Sequence, residues 1–376
     1  MLAIVTITIA CGGVKEDENY ISKDQPLQTI RVSISDSIYE NVNDLLEMDS
    51  YLILSSDVYL GEIERAIIVD ERLYVLDSQP KIVCFNPDGT VRYQIASKGR
   101  GPGEFLRIVD FSVDSENNHL KLYDSSRRKL LNFSLSDGKF VDEQGIDIAP
   151  MGLASFDGGN YFHNPYTINY PDSKEFHYSL LWAKNDLNIE KKHFPHDPLT
   201  ADFYFTFGKE HPFFYNSEHL LYNTRFESIV YSLVDGEAIP LYDIQLPNPM
   251  PKNYLKENPE GMELLSSGYS VVLSDIYQCE NILYFSFVNN IYYIFSFYDL
   301  EKQELIYCGG RVLPKPSKAL PVYYPIRGVY KNRFFTFVNP STILKLKQDN
   351  FDVIPKKMLS IQEYDNPVLV FYSLKK

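Results

Sequence analysis

The sequence predicts an all-β fold: a six-bladed β-propeller of four-stranded antiparallel blades, closed by strands from the amino-terminal and carboxy-terminal ends of the chain. Three observations carry this reading. First, Ile68–Ile95 and Phe111–Ile146 repeat one another, with Asp77 meeting Asp124, Phe85 meeting Phe133 and Gly89 meeting Gly138 at offsets of 47, 48 and 49 residues. Second, each copy reads strand, tight turn, strand, turn, strand, Asp-Gly turn, strand. An Asp-Gly pair between alternating apolar runs is a strong hairpin signal, and four strands in about 40–50 residues make one propeller blade. Third, the 376 residues are 14% aromatic, with 29 Tyr and 24 Phe against a single Trp. Rings favour a pleated, half-buried surface, so this composition leans towards strands.

The remaining units follow in order and are more degraded. Leu153-ASFDGGNYFHN with YSLLWAKNDLNIEKKHF is the third, Phe213–Leu246 the fourth, Val271–Cys308 the fifth, and Tyr324 opens the sixth. The third strand of the sixth unit is placed at the terminal Pro367–Leu374 rather than at Thr342–Leu346, which leaves 341–366 as an insertion with some helix. A strand from the amino-terminal region, Ile30–Ile34 or Tyr51–Leu54, is expected to close the ring after a short helix over 38–47. Closure of this kind removes the unpaired edge of an open sheet.

The amino-terminal segment reads differently. Residues 2–10 (LAIVTITIA) form a short apolar run ending in the small Ala10, followed by Cys11, Gly12, Gly13 and the charged cluster Lys15-Glu16-Asp17-Glu18. A run this short does not cross a bilayer, which takes about 20 residues, but it has the size of a signal-peptide core. The run, the small residue and Cys11 resemble a bacterial lipoprotein lipobox, although Thr8 stands where Leu is usual and no Lys or Arg precedes the run. The missing basic residue is expected if translation starts a few codons upstream. The resemblance implies a lipid on Cys11, and the acidic cluster after it is similar to the surface-export signal of Bacteroidota lipoproteins. Residues 1–26 are thus read as signal and acidic tether, and 27–376 as the propeller. Cys84, Cys279 and Cys308 form no C-x-x-C pair and read as buried small hydrophobes.

GRGPGEF (Gly99–Phe105), the strand ending at Val113-Asp114 and LKLYDSSRRKLLNFSLSDGKF resemble an NHL-type repeat, and the chain from about residue 27 is similar to the six-bladed propeller lipoproteins of Bacteroidota. The resemblance implies a fold and an outer-membrane, surface-exposed setting. It brings no catalytic residues.

Loop lengths point to one face. The turns joining first to second and third to fourth strands are short, as at Asp70–Arg72, Asp157–Gly159 and Asp235–Gly236. The long segments, 164–177, 195–212, 246–270, 309–324 and 339–366, all belong to the opposite face. Long ordered loops in a compact domain tend to be functional. Arg100, Glu104, His163, Tyr166, Arg225, Asn289 and Arg327 are the candidate ligand-binding residues on that face. Rings combined with amide and guanidinium donors suit a glycan, a peptide or an outer-membrane protein partner. The recurrent Asp77, Asp124, Asn164, Asn223, Asn289 and Asn339 are also explained by side-chain capping of equivalent turns.

Other chemistry finds little support. Lys+Arg 36 against Asp+Glu 50 gives a net charge of −14, which disfavours a nucleic-acid partner. Six of the seven His fall between 163 and 219, but His193-Phe-Pro-His196 is not a zinc helix because Pro195 breaks it. No G-x-S-x-G is present. The expected function is a non-catalytic, monomeric binding module with no catalytic residue, metal or cofactor assigned. The alternatives are a lactonase- or lyase-like enzyme, with Glu104, Asp110, Asn223 and Asn289 around an axial metal, or a structural subunit of an outer-membrane assembly.

Overall fold

The computed structural model describes residues 26–34, 42–165, 177–197, 211–216, 219–224, 226–257, 259–310, 322–323, 325–349 and 354–375. Six antiparallel sheets follow one another along the chain. The first is β3 (Ile63–Val69), β4 (Arg72–Asp77), β5 (Ile82–Phe85) and β6 (Val91–Ile95). The second is β7 (Ile108–Asp114), β8 (His119–Asp124), β9 (Lys129–Ser134) and β10 (Phe140–Gly145), and the third β11 (Gly152–Phe156), β12 (Gly159–His163), β13 (Tyr178–Ala183) and β14 (Ile189–Pro195). The fourth is β15 (Phe213–Tyr215), β16 (Leu220–Asn223), β17 (Ile229–Val234) and β18 (Glu237–Gln245). The fifth is β19 (Ser270–Cys279), β20 (Ile282–Asn289), β21 (Tyr292–Asp299) and β22 (Glu304–Gly309).

The sixth sheet closes the ring. Its order is β2 (Leu46–Ile53), β25 (Val368–Leu374), β24 (Phe334–Val338), β23 (Gly328–Val329), so the terminal strand is the third of the blade and the amino-terminal β2 the fourth. Leu52 lies opposite Leu369 and Ile53 opposite Val368. Of the two closing strands considered, the segment containing Tyr51–Leu54 does the work. The Ile30 segment is corrected: β1 (Gln28–Arg31) pairs in parallel with β18 and makes blade four five-stranded. Ile30 and Ile244 are both fully buried there, so the short strand covers an otherwise open apolar edge. The helix expected over 38–47 is also corrected. Within the described residues it is only a 3-10 turn at Val42–Asp44, and the strand register claims Leu46 onwards.

The core is six slabs rather than one centre. Phe111 and Tyr74 pack between blades one and two, Tyr123 and Phe162 between two and three, and Trp182 and Phe213 between three and four. Phe285 and Ile30 fill the next gap, Tyr284 and Phe334 the fifth, and Phe335 and Phe85 the closing one. Second and third strands are therefore buried on both faces and read as apolar runs, such as Leu73–Leu76 and Ile82–Phe85. Fourth strands alternate, as in Val91–Ile95, because one face meets water. Short turns take the left-handed pair of conformations that hairpins need: Asp70 and Glu71 at φ 49° and 62°, Lys331 and Asn332 at 48° and 54°. Gly89 (φ 84°) is required by contact as well, since a Cβ there would lie 2.1 Å from the Ile53 carbonyl oxygen of the closing strand. The 341–366 insertion carries α2 (Pro340–Gln348) and a 3-10 turn at Lys356–Ser360. Among the described residues, no helix is long and apolar enough to cross a membrane.

Candidate functional site

The first strands of the blades line the axis, and three of them carry a charge within an apolar run: Arg65 on β3, Asp110 on β7 and Asp275 on β19. Arg65, 7% exposed, pairs through Nη1 with Asp110 Oδ1 and donates to the carbonyls of Phe111 (2.9 Å) and Leu153 (3.1 Å). Asp110 also accepts the backbone N–H groups of Phe111 (2.9 Å) and Leu153 (2.8 Å). Every oxygen of that carboxylate is engaged, and the pair bolts blades one, two and three together. His211, just before β15, donates Nε2–H to the Glu64 carbonyl at 3.0 Å and turns Nδ1 towards Asp110 at 4.0 Å. Burial pushes its pKa down to about 4 against the pull of Asp110, with Arg65 and Arg327 pushing the same way as burial, so the ring is neutral.

Two funnels run in from opposite faces. The wide one, about 1140 Å³, opens on the long-loop face and is walled by His163, Asn223, Asn289 and Tyr292. The narrow one, about 520 Å³, opens on the short-turn face beside Asp114, Asp157 and Tyr330. Both are lined by Glu64, His211, Asp275 and Arg327, which therefore form the waist where they meet. β19 reaches the waist through two breaks in register, after Val271 and after Ser274, with Val272 and Asp275 at φ 57° and 51°. Bulges of this kind re-aim side chains beside sites, and a β-branched residue in the left-handed region is a strained one. Asp275 accepts the Ser286 hydroxyl at 2.8 Å. Burial raises its pKa, and Arg327 opposes the rise.

The rim of the wide funnel is aromatic. The turn Asn290–Ile291 (φ 48° and 67°) presents Ile291, Tyr292 and Tyr293, which are 48%, 64% and 45% exposed. The Ile291 N–H donates to Leu265 of α1 (Gly261–Ser266) at 2.8 Å, so the long 246–269 loop supports this turn from outside.

Three of the residues singled out in the sequence come together: His163, Asn289 and Arg327 all line the wide funnel. His163 is buried and bonded through Nδ1 to the Tyr222 hydroxyl at 2.9 Å, while Asn289 donates to Ser270 Oγ at 3.0 Å. Arg327 points into the channel, where its guanidinium influences Asp275 and His211. Arg100 and Glu104 sit elsewhere. Arg100 is exposed on the glycine-rich loop, and Glu104 staples that loop by accepting the Gly101 N–H at 2.8 Å. Tyr166, Arg225 and Cys11 lie outside the described residues. Turn capping accounts for Asp124, which accepts the Ser126 N–H at 3.1 Å and also ties down the Leu106 and Arg107 N–H groups of the preceding loop, and for Asn223, which donates to the Ile229 carbonyl at 2.8 Å. Glu64, Asp275, Tyr292 and Tyr293 escaped the sequence reading. The available signal was a charge inside an inner strand and a Tyr pair following Asn290-Ile291.

Of the four residues of the enzyme alternative, Asn223 and Asn289 line the wide funnel, whereas Glu104 closes the glycine-rich loop and Asp110 is paired with Arg65. Among the described residues, no group of three or more His, Cys, Asp or Glu side chains is placed to hold a metal.

The family described as "Domain of unknown function (DUF4934)" matches residues 55–373. The chain belongs to that family. No curated protein matches it. The chain is similar in structure to a candidate exported protein of Bacteroides fragilis, at 17% identity and TM-score 0.76, covering 93% of this chain and 100% of that one. A Bacteroides vulgatus protein of the DUF4221 family follows at 11% identity and TM-score 0.51, covering 89% of this chain and 99% of that one. At these identities both likenesses concern the fold alone.

Proposed function

We propose that this member of the DUF4934 family is an exported propeller lipoprotein that binds a glycan, without transforming it, in the wide funnel on its long-loop face. The observation that carries the reading is the rim. Tyr292 and Tyr293 expose rings at the mouth of a funnel of about 1140 Å³ whose deeper wall offers amides and carboxylates. Sugar C–H faces stack on rings, while amide donors and carboxylate acceptors read hydroxyls in pairs. Among the charged groups at the axis, Asp110 is consumed by Arg65 and two backbone donors, so it is held as a structural carboxylate rather than as an acid–base partner for Asp275. The lipid anchor on Cys11 and the NHL-like character of blades one and two belong to this proposal, supported by the lipobox resemblance and the repeat motifs. Export is further suggested by the description of the B. fragilis neighbour.

A glycan panel read by calorimetry tests the function. At least one oligosaccharide should bind, and Tyr292→Ala with Tyr293→Ala should weaken it by about tenfold or more, roughly 1.4 kcal/mol. Binding of no glycan, together with stoichiometric co-purification with one membrane protein, would replace this reading with that of an assembly subunit. Cys11→Ala should release the protein from the membrane fraction of its host, and retention there would remove the anchor.

A further inference from the structure

The axis contains more cationic hydrogen-bonding capacity than the protein itself uses, and the part of it that reaches both funnels is Arg327. Arg65 spends Nη1 on Asp110 and two carbonyls, while its Nη2 is buried without an acceptor. Arg327, one step along the ring on the segment leading into β23, is half-buried and lines both funnels. Its guanidinium makes no ion pair or hydrogen bond among the described residues. Asp275, the carboxyl whose charge it feels, is instead bonded to Ser286. A guanidinium fork is shaped to hold a carboxylate through two parallel N–H bonds, and donors left unmet away from water carry a cost that a suitable ligand removes.

We propose that the glycan bound in the wide funnel is acidic, and that its carboxylate descends to the waist, where Arg327 holds it. This rests on the glycan reading above and specifies its ligand. The walls favour a carboxylate over a phosphoryl group. Glu62 and Glu64 flank the descent, and the chain carries a net charge of −14, so a doubly charged group meets about twice the repulsion of a singly charged one. The neutral ring of His211, held by the Glu64 carbonyl, adds no competing charge beside Arg327.

The experiment is a set of matched pairs: oligosaccharides containing hexuronic or sialic acid, each measured as the free acid and as its methyl ester, against wild type and Arg327→Gln. In wild type the acid of the recognised pair should bind at least tenfold tighter than its ester, and in Arg327→Gln that ratio should fall to about one. Because Arg327 has no side-chain bond among the described residues, the variant should melt with wild type, and its melting curve separates a lost contact from a lost fold. Acid and ester binding equally in wild type, or a preference that survives Arg327→Gln, would overturn the inference while leaving the glycan reading intact. If neither form of any pair bound, and neutral glycans failed as well, the glycan reading itself would fall. Binding by neutral glycans alone would overturn only the acidic one.

Discussion

Arg65 and Asp110 are the residues on which the axis turns. Both are almost wholly buried, and the pair carries bonds to backbone groups of blades two and three. Removing one partner of a buried ion pair leaves the other uncompensated, so Asp110→Ala is expected to cost about 3–5 kcal/mol. A double replacement, Arg65→Met with Asp110→Leu, should recover most of that loss. Urea unfolding measures both, and a single substitution costing under about 1 kcal/mol would contradict the account. His211 gives a prediction in pH. Its folded pKa, about 4, lies below the ordinary 6.5 because burial penalises the charged ring. The unfolded chain therefore binds the proton first. The ring's contribution is whole above about pH 6.5 and is lost as pH falls towards 4. The stability of His211→Gln should consequently decline less steeply than that of wild type across this window, measured as unfolding midpoints at several pH values. Parallel curves would mean that the ring titrates normally.

Among the elements, the wall formed by β19 and the β20–β21 turn departs furthest from regular geometry. Val272, Asp275 and Ile291 all adopt positive φ, and all three line the wide funnel. Strain that survives in a wall is expected to be offset by what the wall does. Ile291→Gly removes a β-branched residue from the left-handed region, so it should raise stability by about 0.5–1 kcal/mol, provided the gain from relieved strain exceeds the added freedom of the unfolded chain. The same variant should weaken glycan binding by loosening Tyr292. A thermal shift and a calorimetric titration on one preparation read both. Lower stability with unchanged binding would show that the turn is neither strained nor functional.

At the scale of the whole molecule, stability depends on closing the ring. β25 lies between β24 and the amino-terminal β2, and Leu369, 1% exposed, pairs with both Phe337 and Leu52. Leu369→Pro deletes a ladder donor in the middle of a sheet and should cost about 3 kcal/mol or more. Because each slab of core is shared by two blades, the loss should appear as a lower single transition rather than as the melting of one blade. A biphasic curve with five blades intact would show that the slabs unfold independently.

The repeat units, the turn types and the terminal third strand of blade six were all legible in the chain, because they depend on local chemistry: Asp-Gly and Asn turns and the apolar runs between them. Phe85 and Phe133 could be placed by their spacing alone, and both are buried between blades. Pairing partners far apart in sequence were not legible. Ile30 and Tyr51 are both apolar strand residues of the amino-terminal region, and only the folded ring decided that one joins β18 and the other β25. The same holds for the axis. Arg100 and Glu104 belong to a conspicuous motif yet lie off the channel, whereas Arg327 and Asp275 reach it, one by its position before β23 and the other through two bulges that no periodicity announces. A closed ring brings six distant strands to one line, and what meets there is fixed by register and twist over the full circle, quantities that exist only once the circle is complete.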